Sequence, residues 1–373
     1  MRLASAVLFV IGLFCASSLS GQLIDAAEPN KSGKKRIFVV SSYHKEYLWS
    51  KSTQLGLSEA MLNYGYLDNS GQIEIFAAED KIESSKAIVV KAWMDTKRRS
   101  DRNSMFESTR RIMATIKRFK PDLVMLGDDN ATNFIGTQLL DTEIPVVFWG
   151  INGLPLKYGL VESMDNPGHN VTGVWQSGYH KESLEFLARV VPAAKTFAIL
   201  ASDSVTARAS VKQLLGLADE GKLPLTLTDV VMTNSFDTFK KRARELEDKV
   251  DAFFILNHDT LRDASGAHVA MLDVGRWYLK NIRKPEAAHE DQFVNEGMLL
   301  TANDSGYNQS YRAFEMAFDI LEQGLNPSRM RTVTPPRGPL MINRVRAAML
   351  GIDIGKLPIK IDKIVEHALA LEH

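Results

Sequence analysis

The sequence predicts an α/β protein with two mainly parallel sheets, each flanked by helices, facing one another across a cleft. Three observations carry that expectation. Short apolar runs ending on glycine or polar residues recur along the chain, as at 123–130 and 146–152. A strand buried on both faces looks like this as it leaves a parallel sheet. Helix-length amphipathic stretches separate the runs, and β alternating with α at this spacing argues for parallel sheets. Finally, 373 residues suit two domains at roughly 100–200 residues each.

The chain opens on a signal-like segment. Arg2 supplies a positive end, residues 6–14 are apolar, and small residues follow from 16 to 21. This is the pattern of a secretory leader, with cleavage after Ser20 or near Ala26. Its apolar core is too short for a permanent membrane anchor. Cys15 is the only cysteine, and Phe14 before it argues against a lipoprotein. A mature chain without cysteine has no disulfide, thiol nucleophile or zinc–thiolate site. Lys plus Arg (45) equals Asp plus Glu (45), so no net field draws nucleic acid or an anionic membrane.

Residues 36–42 read as the first strand, ending on Ser41 and Ser42. A loop at 43–50 carries Tyr43 and Trp49, before a helix over 54–63 with Leu55, Leu57, Met61 and Leu62 as apolar positions. Residues 73–76 alternate as a second strand. The run 88–94 fits strand or helix equally, because a short apolar run does not decide. Residues 95–102 form a charged turn, and Lys97, Arg98 and Arg99 read as solvated surface. A helix over 106–119 stops at Pro121. The strand 123–126 then ends at Gly127, where Asp128, Asp129 or Asn130 caps a helix bearing Phe134, Ile135, Leu139 and Leu140. The strand 145–149 ends at Gly150 and Asn152, and 153–168 is a linker or rim loop.

Residues 170–175 open the second half, and a helix at 181–191 leads to the strand 196–201 with its polar end Ser202, Asp203, Ser204. Strands at 225–232 and 250–256 bracket a charged helix at 236–249, and the second ends at Asn257, His258, Asp259. A helix ends at 276–281, a weak strand at 284–291 has a polar end, 298–301 is a return crossing, and a helix spans 310–323. The tail closes on 340–343.

In open α/β sheets ligands sit beyond the carboxyl ends of the strands, and small-molecule sites concentrate between domains. The polar turns therefore mark a ligand floor, although capping alone explains each of them. Tyr43, Trp49, Trp149 and Trp175 lie beside these turns, where they wall a ligand or cover the core. No glycine-rich phosphate loop, nucleophile elbow or paired helical histidines occur. Isolated His258-Asp259 and His289-Glu290-Asp291 make a weak metal signal. No catalytic residue, metal or cofactor is assigned.

Several segments taken together, 121–127, 144–148, 168–174, 250–255, 290–297 and 340–352, resemble ABC-transporter substrate-binding proteins of the tryptophan/tyrosine-type group. Ser41-Ser-Tyr-His44 with Trp49, and Met94-Asp-Thr-Lys-Arg98, resemble a branch also found as sensor modules of membrane kinases. The resemblance runs in order from about residue 36 to the end. It implies a type I periplasmic-binding fold of two Rossmann-like lobes, with hinges near 174–176, 300–304 and 326–334. The lobes would be 36–174 with 301–326 and 175–300 with 327–373, after a signal peptide at 1–27. The family's ligand loops map onto 42–43, 128–131, 150–152, 202–204, 257–259 and 290–291, and with the edge aromatics Trp49 and Trp175 the expected ligand residues are Ser42, Tyr43, Trp49, Asp128, Asp129, Asn130, Ala131, Asn152, Trp175, Ser202, Asp203, Asn257, Asp259 and Glu290. The family's relatives carry small neutral residues where this chain has Asp128 and Asp129. Two adjacent carboxylates oppose a ligand carboxylate. One would bind an amine while the other turns away as a cap. The expectation is an exported, monomeric, non-enzymatic protein that binds a small organic ligand for a membrane ABC permease. The alternative is a ligand-sensing module for a membrane kinase.

Overall fold

The computed structural model describes residues 33–152 and 154–372. The leader assigned to 1–27 lies outside them.

A six-stranded sheet forms the first lobe. Its strands, edge to edge, are Lys81–Glu83, Ala87–Trp93, Lys35–Ser41, Leu123–Gly127, Val146–Asn152 and Val171–Gln176. All neighbours pair in parallel except the first two. The central strands Leu123–Gly127 and Val146–Asn152 are buried along their whole length, as two-sided helix cover requires. The second sheet runs Lys363–Val365, Leu340–Asn343, Leu300–Ala302, Glu286–Ala288, Ala252–Ile255, Thr196–Ala201, Thr226–Met232. Only its Leu300–Ala302/Leu340–Asn343 pair is antiparallel.

The chain passes between the lobes three times. It leaves the first sheet after Gln176 and returns after Ala302 into the helix Gly306–Gln323, which packs on the first sheet beside the helix Leu48–Asn63. It then crosses back before Leu340. Gly56 lets these two helices approach, since a Cβ there would collide with the Tyr307 carbonyl. Two parallel-dominated sheets joined by three crossings make a two-lobed type I periplasmic-binding fold.

Several expectations need correction. Residues 73–76 lie in the helix Gly71–Ala78, where Phe76 alone is buried. Four alternating residues span barely one helical turn, too few to separate the two periods. The ambiguous run 88–94 is the strand Ala87–Trp93. Residues 170–175 finish the first sheet rather than opening the second half, pairing with Val146–Asn152. Helices begin earlier than their apolar periodicity suggested, at Leu48, Arg102 and Gly306, because their first turns lack the regular apolar repeat, even where they bury single residues such as Trp49 and Gln309. Capping by hydroxyl or carboxylate holds at Asp101, Ser204, Ser235 and Ser305. It fails at Asp128–Asn130, where Gly127 occupies the cap position without a side-chain bond.

Candidate functional site

The carboxyl ends of the first sheet's central strands point at the second lobe. Ser41 leads into Ser42, whose Oγ donates to the Gly127 carbonyl (2.7 Å) and accepts from the Ala131 amide (2.8 Å). Both capacities are used on backbone, so Ser42 ties two strand-end turns together. Asp128 follows in the left-handed region, φ +69°, a conformation that is uncommon for a residue with a Cβ and that concentrates at functional sites. It is 2% exposed, and its Oδ1 accepts a 2.7 Å bond from Trp49 Nε1. Burial pushes the Asp128 carboxyl well above the usual range, Trp49's bond opposes this in part, and neighbouring Asp129 adds to the rise.

Asp129 turns the other way. Its carboxylate accepts from Lys157 Nζ (2.7 Å), Tyr158 Oη (2.6 Å) and Asn152 Nδ2 (2.9 Å), which anchors the rim loop after the strand Val146–Asn152. The adjacent acids thus divide into one facing the cleft and one holding a loop, although neither caps the helix. Asn130 bonds Thr96 Oγ1.

From the second lobe, Asn257 and Asp259 follow the strand Ala252–Ile255, and Glu290 follows Glu286–Ala288. Tyr43, Tyr47 and Trp49 cross the gap and pack in one buried cluster with Leu261 and Phe293. Beneath them a small inter-lobe cavity of about 10 Å³ is lined from the first lobe by Tyr43, Tyr47, Trp49, Asp128 and Asn152, with Gln176 at its crossing. Thr206, Asn257, Glu290 and Gln292 close it from the second. A cavity needs about 10–15 Å³ on this measure to hold one water, so the lobes as they stand leave room for about one, and a ligand enters with the lobes parted.

Beside it, Lys97 Nζ lies 2.9 Å from Asp259 Oδ2 and 4.3 Å from the centre of the Tyr43 ring. Tyr47 Oη donates to the same Asp259 oxygen. Burial alone would raise the Asp259 carboxyl, but Lys97 and Tyr47 outweigh it and hold it below the usual value. Lys97 is buried, contrary to its reading as solvated surface, while Arg98 and Arg99 are exposed as expected. A charge run gives no sign that one member turns inward toward a partner over 160 residues away.

Under the cavity, Gln309 links site to crossings. Its amide accepts from the Gly150 amide (3.4 Å) and donates to the Trp175 carbonyl (3.4 Å) and Asp304 Oδ1 (3.2 Å). Asp304 Oδ2 also accepts from the Gly178 amide (2.9 Å). Burial drives the Asp304 carboxyl up to about 7.

Of the residues singled out from sequence, Tyr43, Trp49, Asp128, Asn152, Asn257 and Glu290 line one cavity. Ser42, Asp129, Asn130 and Ala131 build its first-lobe wall without lining it. Ser202 Oγ bonds the Asn257 carbonyl, Asp203 pairs with Arg208 toward solvent, and Asp259 belongs to the Lys97 pair. Trp175 borders a separate open cavity with Leu154, Leu156 and Lys212. Sequence reasoning missed Tyr47, Gln176, Thr206 and Gln292 as lining residues. Tyr47, four residues after Tyr43 in the same strand-end loop, was the one with a usable signal. Among the described residues no three His, Cys, Asp or Glu side chains group as around a metal ion, and no helix is long and apolar enough to cross a membrane.

A two-lobed fold enclosing a polar cavity between sheet ends defines the class of periplasmic-type binding proteins. The sequence profile of the family described as ABC transporter substrate binding protein matches residues 95–359, and the chain belongs to that family. Solved structures share the fold at low identity. An ABC domain from Streptococcus pneumoniae in complex with L-Trp is 18% identical, covering 89% of this chain and 100% of its own, with TM-score 0.68. The ligand-free, open structure of CD0873 from Clostridium difficile, a substrate-binding protein with adhesive properties, is 20% identical (89% and 100% covered, TM-score 0.64). A conserved domain protein from Vibrio cholerae is 15% identical (89% and 99% covered, TM-score 0.67). No curated protein sequence matches. Substrate-binding proteins of ABC importers work outside the cytoplasm and are not an enzyme family.

Proposed function

We propose that this chain is an exported, monomeric solute-binding protein that closes on a small organic ligand for an ABC permease and performs no chemistry on it. The ligand is amino-acid-like, an amine or another polar metabolite. The lobes are about 36–174 with 301–326 and 175–300 with 327–373, each of the first two crossings falling two residues later, after Gln176 and Ala302, and the segment 1–27 directs export. The observation that carries this reading is the cavity enclosed by side chains from both lobes, beside an ion pair that joins them. Such contacts form only when the lobes meet, so a ligand bridging them stabilises the closed form by its differential affinity. Hinge closure then presents a surface that a membrane partner distinguishes from the open state. Tyr43, Trp49, Asp128, Asn152, Asn257 and Glu290 are the proposed contacts. Ser42, Asp129, Asn130, Ala131, Ser202, Asp203, Asp259 and Trp175 are proposed to shape and close the site around them.

A thermal-shift screen of the mature protein against amino acids, amines, small carboxylates, nucleosides and sugars tests this. Ligand at a hundred times its dissociation constant stabilises by roughly 2.7 kcal/mol, an easily read shift. The expected result is one selective class of hit, lost in Asp128→Ala. A well-folded protein with no hit in any class overturns the reading.

A further inference from the structure

Resting on that reading, we infer that the inter-lobe cavity selects a small organic cation with N–H donors and rejects ligands bearing a carboxylate. The hydrogen-bond inventory of the cavity is one-sided. Its side-chain N–H donors are largely engaged. Trp49 Nε1 donates to Asp128, Gln176 Nε2 donates to Glu290 Oε1 (3.4 Å), and Gln292 Nε2 donates to Glu290 Oε2. Asn152 Nδ2 donates to Asp129. Acceptors are in surplus. Gln292 is 2% exposed, and its Oε1 is buried with no partner. The carboxylate bonded to its amide nitrogen fixes which end of that amide faces outward, because only the NH₂ end can donate to Glu290. Asn257 Oδ1 is also buried and unpartnered, although no bond to its Nδ2 fixes the amide as Glu290 fixes that of Gln292.

Charge points the same way. Two carboxyl groups, Asp128 and Glu290, line the cavity and no lysine or arginine does, with burial raising the Asp128 carboxyl and His289 Nε2 lying 3.2 Å from Glu290 Oε1. The nearest ammonium, Lys97, is already matched by Asp259. Leaving buried acceptors unpaired costs free energy, and a carboxylate placed among them adds like-charge repulsion. An ammonium, amidinium or guanidinium relieves both. Tyr43, Tyr47 and Trp49 supply the aromatic wall that suits the apolar part of such a cation. A quaternary ammonium has the charge but no N–H to offer, so it should bind more weakly than a primary amine.

The test is isothermal titration of the full mature chain with matched sets. Tyramine is compared with tyrosine and tyrosinamide, agmatine with arginine and argininamide, and choline serves as the donor-free cation. The amides restore the bulk of the carboxylate without its charge. In at least one set, the amine and amide should bind at least about tenfold tighter than the acid, since like-charge juxtaposition costs several kcal/mol. Glu290→Gln and Asp128→Asn, which keep shape, should narrow that gap while circular dichroism and unliganded melting confirm folding. An acid binding as tightly as its amine overturns the inference, as does an amide rejected along with its acid, which would make size the filter. If every amine is silent while a sugar, nucleoside or carboxylate binds, this inference fails and the solute-binding reading stands. Silence across all classes defeats both.

Discussion

Lys97 of the first lobe and Asp259 of the second are paired at 2.9 Å, with side chains 4% and 2% exposed. The sequence separates them widely, and lobe closure alone buries them together. A buried pair gains little against water, but removing one partner strands the other charge. Lys97→Met should therefore disfavour the closed form by about 2–5 kcal/mol. Small-angle scattering of the liganded protein would show a larger radius of gyration, and the dissociation constant would rise at least about tenfold. Adding Asp259→Asn should recover part of the loss. Unchanged scattering and affinity in Lys97→Met would refute the latch.

Asp304 makes the crossing pH-sensitive. Its folded-state value, about 7, lies above that of an unfolded aspartate, so the folded chain holds this proton between about pH 4 and 7 while the unfolded chain has lost it. The contribution is thus fully present at low pH and is lost as pH rises to 7. Asp304→Asn removes the titration. The stability of the variant relative to the parent should increase from pH 4 to pH 7, by at most about 4 kcal/mol. Parallel melting curves across that range would exclude the assignment.

Arg346 and Glu286 form a bidentate pair, with bonds of 2.9 Å and both side chains fully buried. This fastens the helix Arg344–Met349 to the second sheet. Arg346→Met should cost about 3–5 kcal/mol because Glu286 is left charged and dry. Adding Glu286→Leu should restore much of it. Urea denaturation followed by second-lobe fluorescence, from Trp277, reads both.

Gly150 occupies φ +70°, and a Cβ there would lie 2.7 Å from Asp128 Oδ1. Gly150→Ala combines left-handed strain with displacement of the carboxylate that holds Trp49. A loss of roughly 1–3 kcal/mol in stability is expected, with ligand affinity falling as well. A melting temperature within a degree of the parent would show that the turn relaxes freely.

The sequence by itself determined the alternation of strands and helices, the two-sheet class and the sheet edge on which polar turns gather. Periodicity and strand-end residues are local properties, set within a few neighbours. It marked Tyr43, Trp49, Asp128, Asn152, Asn257 and Glu290 because each sits at or near such an end. Tertiary structure alone decided which of two adjacent acids faces the cleft. Asp128 adopts a left-handed backbone toward Trp49, whereas Asp129 answers Lys157 and Tyr158. It also turned Lys97 from an apparent surface charge into a buried partner of Asp259, and placed Gln292 and Gln176 on the two sides of Glu290. Each of these depends on groups brought together from distant segments by lobe packing, and the burial and charge matching that fix them have no period along the chain.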